Sequence, residues 1–344
     1  FEVQQTDGTS ILKVAAGTPS VLVSGSGTKL YLSDAGGEYI SGDGTDLTIT
    51  SGRHIVLALG SAGSVYHTGD GGSNNAIYGL NAGVALASGG NQNVLLGEGA
   101  GAALTTGDTN VAIGYLAFDA AADDETSNVA IGANAMGAAD QGSHADADVD
   151  QNVCIGSSAG LGGDFGSSDL NFVNNVAIGY NCMDGTGAIG GIRNTFIGAE
   201  AGGGSWVTAA SSYNVGIGHN TMDAAMNAAA KNTAVGTSSL GALTEGDDNV
   251  AIGYDAGNDL TTGSSNVFIG MECGDKTSDV DAAIAIGRGA GGDNMTSAAD
   301  GSVCIGYESG RVLTSGAHNT MLGFEAGHDV VSGHNNVFIG YQAG

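Results

Sequence analysis

A single proline, Pro19, in 344 residues leaves almost every backbone N–H free to donate, so nothing in the chain forbids a long hydrogen-bonded ladder. Basic residues are nearly as scarce. Eight Lys plus Arg stand against 36 Asp plus Glu, a formal charge of −28, which argues against nucleic-acid binding and against docking on anionic lipid. No apolar run approaches the roughly 20 residues of a membrane-spanning helix, so membrane insertion is not expected. The seven histidines form neither a His-Xaa-His pair nor a metalloprotease motif, and a metal-centred mechanism has no anchor in them. Sixty-three glycines would suit disorder, but strict periodicity and 42% hydrophobic residues argue for order.

The period comes from one nine-residue phrase, Asn-Val-Ala-Ile-Gly-Tyr-Xaa-Ala-Gly. It starts at Asn75, Asn93, Asn110, Asn128, Asn152, Asn175, Asn194, Asn214, Asn232, Asn249, Asn266, Ala283, Ser302, Asn319 and Asn336. Toward the C-terminal end the starts lie mostly 17 residues apart. Such self-similarity signals a stacked array whose units bury their faces only against neighbours. The unit is too short for a helical hairpin. Its apolar run of three, bounded by Asn and Gly, reads as a short strand, with a weaker second strand expected around position 12 (Leu104, Leu243, Leu260, Leu313, Val330). The expected fold class is therefore all-β, a parallel β-solenoid or β-roll of about 15 short coils with strands about 4.8 Å apart.

Position 1 is Asn in 13 of the 15 copies. Stacked amides at Asn110, Asn128, Asn249, Asn266 and Asn336 can bond up and down the array, whereas an isolated buried amide would be costly. Position 5 is Gly in every copy, as at Gly114, Gly253 and Gly340, which marks a corner with positive φ or close backbone approach. The cysteines take slots otherwise held by small apolar residues: Cys154 and Cys304 at position 3, Cys182 and Cys273 at position 8. They read as small buried thiols rather than a disulfide framework.

The strand is apolar on both faces. Val250 and Ile252 point one way and Ala251 the other. A lone solenoid would bury one set and show the other to water, so a second surface is expected, most simply another copy of the chain.

Asn-Val-Ala-Ile-Gly, as at residues 110 to 114, 128 to 132, 175 to 179 and 249 to 253, resembles the head repeat of trimeric autotransporter adhesins. That resemblance implies a parallel β-roll homotrimer. Together with Gly-Tyr-Xaa-Ala-Gly and Thr-Thr-Gly it is also similar to tail-fibre proteins of marine bacteriophages, and the stretch 29 to 52 resembles the β-rich shaft modules of such fibres. The domains expected are a β-rich shaft or connector module over 1–70 and a β-roll repeat domain over 71–344. Insertions are expected at about 137–151, 161–174, 184–193 and 203–213. What the resemblance implies is a virion tail fibre that binds other tail proteins and a host cell-surface glycan or protein. The alternatives are a bacterial cell-surface adhesin and, less favoured, a polysaccharide-degrading tailspike. Acidic pairs such as Asp247 and Asp248 sit at turns between coils, which gives paired-carboxylate chemistry no cleft, and no enzyme activity is expected.

Loops on a repetitive scaffold are where recognition is usually displayed. The first insertion carries His144, Asp146, Asp148 and Asp150. Its alternate carboxylates are oxygen ligands of the kind Ca²⁺ takes, and equally the ordinary make-up of a solvated loop. Phe165, Phe172, Trp206 and Tyr213 are the aromatics of the later insertions, able either to stack on sugar rings or to pack down and close a loop. The position-6 series, Tyr115, Tyr180, Tyr254, Tyr307, Phe324 and Tyr341, reads as a packed aromatic ladder in preference to a binding strip.

Overall fold

The computed structural model describes residues 74–122, 124–140, 148–163, 171–206, 208–292 and 294–344. The expected 1–70 module lies outside them, as do Asp146 and Phe165. Over the described residues the chain is the expected all-β parallel solenoid. Fifteen three-residue strands, from Ala76–Tyr78 to Val337–Ile339, form one sheet in which each pairs with the next along the chain. Every strand is positions 2 to 4 of the phrase, and the stacking is in register: Val250 lies beside Val267, Ala251 beside Phe268, Ile252 beside Ile269. The only helical segments among the described residues are two 3-10 turns, Asp184–Ile189 and Ser297–Ala299.

Strands stop after three residues because the backbone leaves the extended region at position 5. Gly253 has φ +143°, and a Cβ built there would stand 2.4 Å from the Gly270 carbonyl oxygen of the next coil. Position 7 then adopts the left-handed region whatever it carries: Asn181 at +50°, Glu200 at +56°, Asp255 at +52°. So does the residue before position 1, as at Ser127 (+62°), Lys231 (+59°) and Asp248 (+57°). These turns aim successive N–H groups at alternate neighbours. Gly253 and Asp255 donate back to the Val235 and Thr237 carbonyls at 2.8 and 3.1 Å, while Val250 and Gly257 donate forward to Asn266 and Cys273 at 2.8 and 2.9 Å. Coils therefore bond to both neighbours through their corners as well as their strands, which satisfies backbone groups that the short strands alone would leave bare.

The second strand expected at position 12 does not form. Leu104, Leu243, Leu260 and Leu313 are fully buried but lie outside any strand. The left-handed residue at position 9 folds the chain into a turn there, closed by the Leu243 N–H on the Leu240 carbonyl at 3.1 Å. Among the described residues a second pairing appears in a widened part of the stack, between Phe172–Val173 and Gly191–Ile192, with a single further bridge between Ser212 and Ala230.

Inside each coil the asparagine ladder runs along one wall. The Asn249 Oδ1 accepts both the backbone N–H and the side-chain Nδ2 of Asn266, each at 3.0 Å, while the Asn249 Nδ2 donates across its own coil to the Gly263 carbonyl at 2.8 Å. Asn128 meets Asn110 in the same way at 2.9 and 3.3 Å, and Asn336 meets Asn319 at 3.0 Å twice. The ladder is interrupted at Ala283, whose N–H still reaches the Asn266 Oδ1. It resumes in part at Ser302, whose hydroxyl reaches the Gly316 carbonyl.

In most coils positions 3 and 9 compensate in volume; the coils of Ala251 with Gly257 and of Ala285 with Gly291 are small at both, and Leu240 and Phe268 of the neighbouring coils reach the first space and Met295 the second. Where position 3 is small, as at Ala112, Ala130, Ala177, Gly216 and Ala234, position 9 is Phe118, Met136, Met183, Met222 or Leu240, each fully buried. Where position 3 is large, as at Leu95, Phe196, Phe268 and Met321, position 9 is Gly101, Gly202, Gly274 or Gly327. A Cβ on Gly274 would meet the Phe268 ring at 2.7 Å, so the two positions share one space. Leu240→Gly should therefore lose about 2 to 5 kcal/mol through the cavity it opens. Ala234→Leu alone should lose about 1 to 3 kcal/mol by overpacking. The double variant should be more stable than either, as read from guanidinium unfolding midpoints.

Candidate interaction surface

Position 3 faces the core, so positions 2 and 4 form the outer face of the sheet. At position 4, Ile197, Ile252 and Leu322 are 36%, 40% and 43% exposed, and most of the others, such as Ile113 and Ile269, are half-buried. In-register stacking turns two residues per coil into two columns of Val, Ile and Leu, with Ala76 and Tyr78 in the first coil and Thr at Thr195, Thr233 and Thr320. Fourteen spacings of about 4.8 Å and a width of about 7 Å make this a ribbon on the order of 470 Å². That is near the middle of the range for the largest apolar patch of a typical monomer, about 300 to 600 Å², where such patches are often binding surfaces.

Beside the ribbon, past the glycine corner, runs the position-6 column. Tyr115, Tyr180 and Tyr254 are about half exposed. Tyr307, Phe324 and Tyr341 stack face to face, with centroids 5.0 and 5.4 Å apart and planes within 15°. Rings stacked along the coil-stacking direction cover one another's faces and show their edges, which leaves little face for a sugar to stack on.

The described loop aromatics do not gather into a binding strip. Phe172 is fully buried and Trp206 is 4% exposed. Both belong to the core, a correction to the reading of them as glycan contacts. The widened coils have room inside, and a Cβ on Gly191 would already meet the Trp206 ring at 2.6 Å. Tyr213 is exposed, and its hydroxyl accepts from Arg193 Nη1 at 2.8 Å. Asp150 has its carboxylate against the Thr126 N–H at 2.6 Å, and Asp148 is exposed. The described residues include no group of three or more His, Cys, Asp or Glu placed to hold a metal ion. All four cysteines are free and buried, and burial pushes the Cys182, Cys273 and Cys304 thiols up to about 12.

Sequence reasoning missed a second polar ladder, at position 16. The Asp247 carboxylate accepts the Ala230 N–H at 2.7 Å, the Ser264 hydroxyl accepts the Asp247 N–H at 3.1 Å, and the Asp281 carboxylate accepts the Ser264 N–H at 2.7 Å. Acidic residues in the turns thus stitch coils together, and the recurrence of Asp108, Asp247 and Asp281 at one repeat position was the available signal. No protein-family model, curated protein or solved structure matches the chain. What it does must be argued from its own surfaces.

Acidity also sets a pH dependence. Asp119, Asp150, Asp184 and Asp223 all titrate above the ordinary aspartate value, chiefly through desolvation, with neighbouring carboxylates adding to it at Asp150, Asp184 and Asp223. A carboxyl whose pKa is raised on folding binds its proton more tightly in the native state. Its contribution to stability is greatest below the unfolded value and falls as pH rises through the folded one. Glu308, held low, acts in the opposite sense. The melting temperature should therefore rise as the pH is lowered from neutral down toward the ordinary aspartate value, and a scanning calorimetry series should show it.

Proposed function

We propose that the chain is a structural segment of a virion tail fibre that associates with two further copies of itself and mediates attachment to a host surface. The observation that carries this reading is the apolar outer ribbon, in register over fifteen strands. A sheet face apolar along its whole length favours a partner of equal length and equal period, and another copy of the same chain has both. Repeated corner-to-corner hydrogen bonding suits a mechanical element that must resist unfolding from any one point. The resemblance of the phrase to fibre and adhesin repeats supports the same role, with other tail proteins at the base and a host glycan or protein at the outer surface. High negative charge favours solubility and discourages lateral clumping of fibres. Attachment through several fibres makes individually weak contacts sufficient.

Two measurements test it. Sedimentation of the folded chain is expected to give three chain masses, and a single-chain mass would remove the homotrimer. Immunogold electron microscopy, with antibody against residues 128–214, is expected to label tail-associated fibres. Label on bacterial envelopes with bare virions would instead establish a cell-surface adhesin, and release of sugar from envelope polysaccharide would establish a depolymerase.

A further inference from the structure

Basic residues are scarce enough that their positions carry information. The whole chain has eight Lys plus Arg, and three of them, Lys276, Arg288 and Arg311, line one cleft of about 260 Å³. The cleft exists because the coil that starts at Ala283 has glycine at two repeat positions where its neighbours carry charged side chains. Gly289 stands at position 7 between Glu272 and Glu308, and Gly292 at position 10 between Asp275 and Arg311. Removing two side chains from the middle of three stacked coils leaves a notch. Its floor is glycine, and its walls are two strand spacings, about 9.6 Å, apart.

The walls are polar and of both signs. Arg311 Nη1 meets Glu308 Oε1 at 2.7 Å, and His328 Nε2 lies 3.7 Å from Glu308 Oε2. Burial alone would raise the Glu308 carboxyl, but hydrogen bonds from Tyr307 and Arg311 and the charges of Arg311 and His328 hold it below its usual value. Arg288, from the floor coil, lies 6.0 Å over the Tyr307 ring, which restrains its guanidinium at the edge of the notch.

We propose that this notch binds one carboxylated sugar residue, a uronic acid or similar acidic pyranose, of a surface polysaccharide. The guanidinium of Arg288 is the group for the sugar carboxylate, since a planar fork of N–H donors matches a carboxylate in two parallel bonds. The Glu272, Asp275 and Glu308 carboxylates are acceptors for ring hydroxyls, which an apolar pocket would not satisfy. The cleft is just below the lower end of the range that holds drug-sized ligands, about 300 Å³, a size suited to one monosaccharide. Net negative charge on the rest of the chain is screened beyond about 8 Å at physiological ionic strength, so the balance inside the cleft, three cations beside three carboxylates of which Glu308 meets Arg311 and His328, decides what enters. The inference rests on the attachment reading above, of which it names the ligand class and the place.

The test uses the whole chain and three probes: D-glucuronic acid, D-glucose and inorganic phosphate. Saturation-transfer NMR and calorimetry are expected to show glucuronate binding well above glucose and phosphate. Arg288→Gln should weaken it at least about tenfold, the loss of a charged hydrogen-bonding partner. Gly289→Asn should abolish it by filling the floor. The repeat already places Asn181 and Asn220 at that position with φ +50° and +53°, so this variant keeps the fold, and an unchanged melting temperature verifies it. Glucuronate binding that survives both substitutions, its absence in the parent chain, or equal binding of phosphate would overturn the site. Retention of the chain on isolated bacterial envelopes is measured in parallel. Retention that is insensitive to Arg288→Gln, without glucuronate binding, removes the notch and keeps attachment. Glucuronate binding lost in Arg288→Gln, without envelope retention, keeps the notch and removes attachment.

Discussion

Replacing Gly253 by alanine should open the stack at that coil, with a loss on the order of 5 kcal/mol, in the range that only a few mechanisms reach. Two independent causes add. The backbone sits at φ +143°, a region that L side chains avoid. The new Cβ would also stand 2.4 Å from the Gly270 carbonyl oxygen and 2.6 Å from its carbon. Neither atom can swing aside, because each is backbone of a coil held on both sides. Moving the two coils apart would lengthen the hydrogen bonds that join them, from the Gly270 N–H to the Ile252 carbonyl and from the Val250 N–H to the Asn266 carbonyl, each 2.8 Å. Gly289→Ala is the control. That residue is at position 7, where a Cβ meets only Glu308 Cγ at 3.4 Å and other coils already carry larger residues, so about 1 kcal/mol is expected from conformation alone. Hydrogen exchange is the right readout. Stability in a repeat array is a sum of local and nearest-neighbour terms, so the loss should appear as faster exchange in the strands around Ile252 and spread only a coil or two.

This contrast between positions 5 and 7 also explains what could be read in advance. Gly at position 5 is invariant because two constraints exclude every other residue, and invariance within one chain is visible without any relative. Position 7 is just as unusual in backbone terms, yet it is filled by Asn181, Ser238, Asp255, Glu272 or Glu325, because the left-handed region is only mildly costly for an exposed polar residue. A shared conformation with no shared side chain leaves no pattern. The same holds for the core. Large apolar residues at position 3 and at position 9 look like noise in each column taken alone, since Phe268 with Gly274 and Ala234 with Leu240 fill one volume in two ways. The missing second strand has a related origin. Leu at position 12 reports burial, and burial in a coil this narrow does not require extended backbone. Among the proposed contacts, Phe172 and Trp206 misled for the reason insertions often do: a longer coil can enlarge the interior as readily as it can present a loop to solvent.

Removing the amide of one rung, as in Asn249→Leu, should cost about 3 to 6 kcal/mol despite the gain in apolar surface. Leucine is close in shape to asparagine, so little of the loss would come from packing. The loss would come from the groups left behind. The Asn266 N–H would lose its acceptor, the Asn266 Nδ2 would keep only its bond to the Val280 carbonyl, and the Gly263 carbonyl would lose its donor. All of them lie where water has no access, since Asn249 and Asn266 are fully buried, and each buried group without a partner costs about 1 to 3 kcal/mol. Asn249→Asp separates geometry from donor chemistry. It keeps an acceptor for Asn266 but places a carboxylate against the Gly263 carbonyl oxygen, so its loss should exceed that of leucine at pH 7 and shrink as the pH falls and the acid is protonated. The natural interruption at Ala283 sets the lower bound. There the Asn266 Oδ1 of the preceding rung still accepts the Ala283 N–H at 2.8 Å, and the following coil begins with Ser302, whose hydroxyl accepts the Asn319 N–H at 3.3 Å. A break is tolerated where the neighbouring residue has changed to suit it. A break at Asn249, between Asn232 and Asn266, has no such adjustment. If Asn249→Leu unfolded at the same denaturant concentration as the parent chain, the asparagine column would be a packing feature, and stacking alone would have to account for its recurrence.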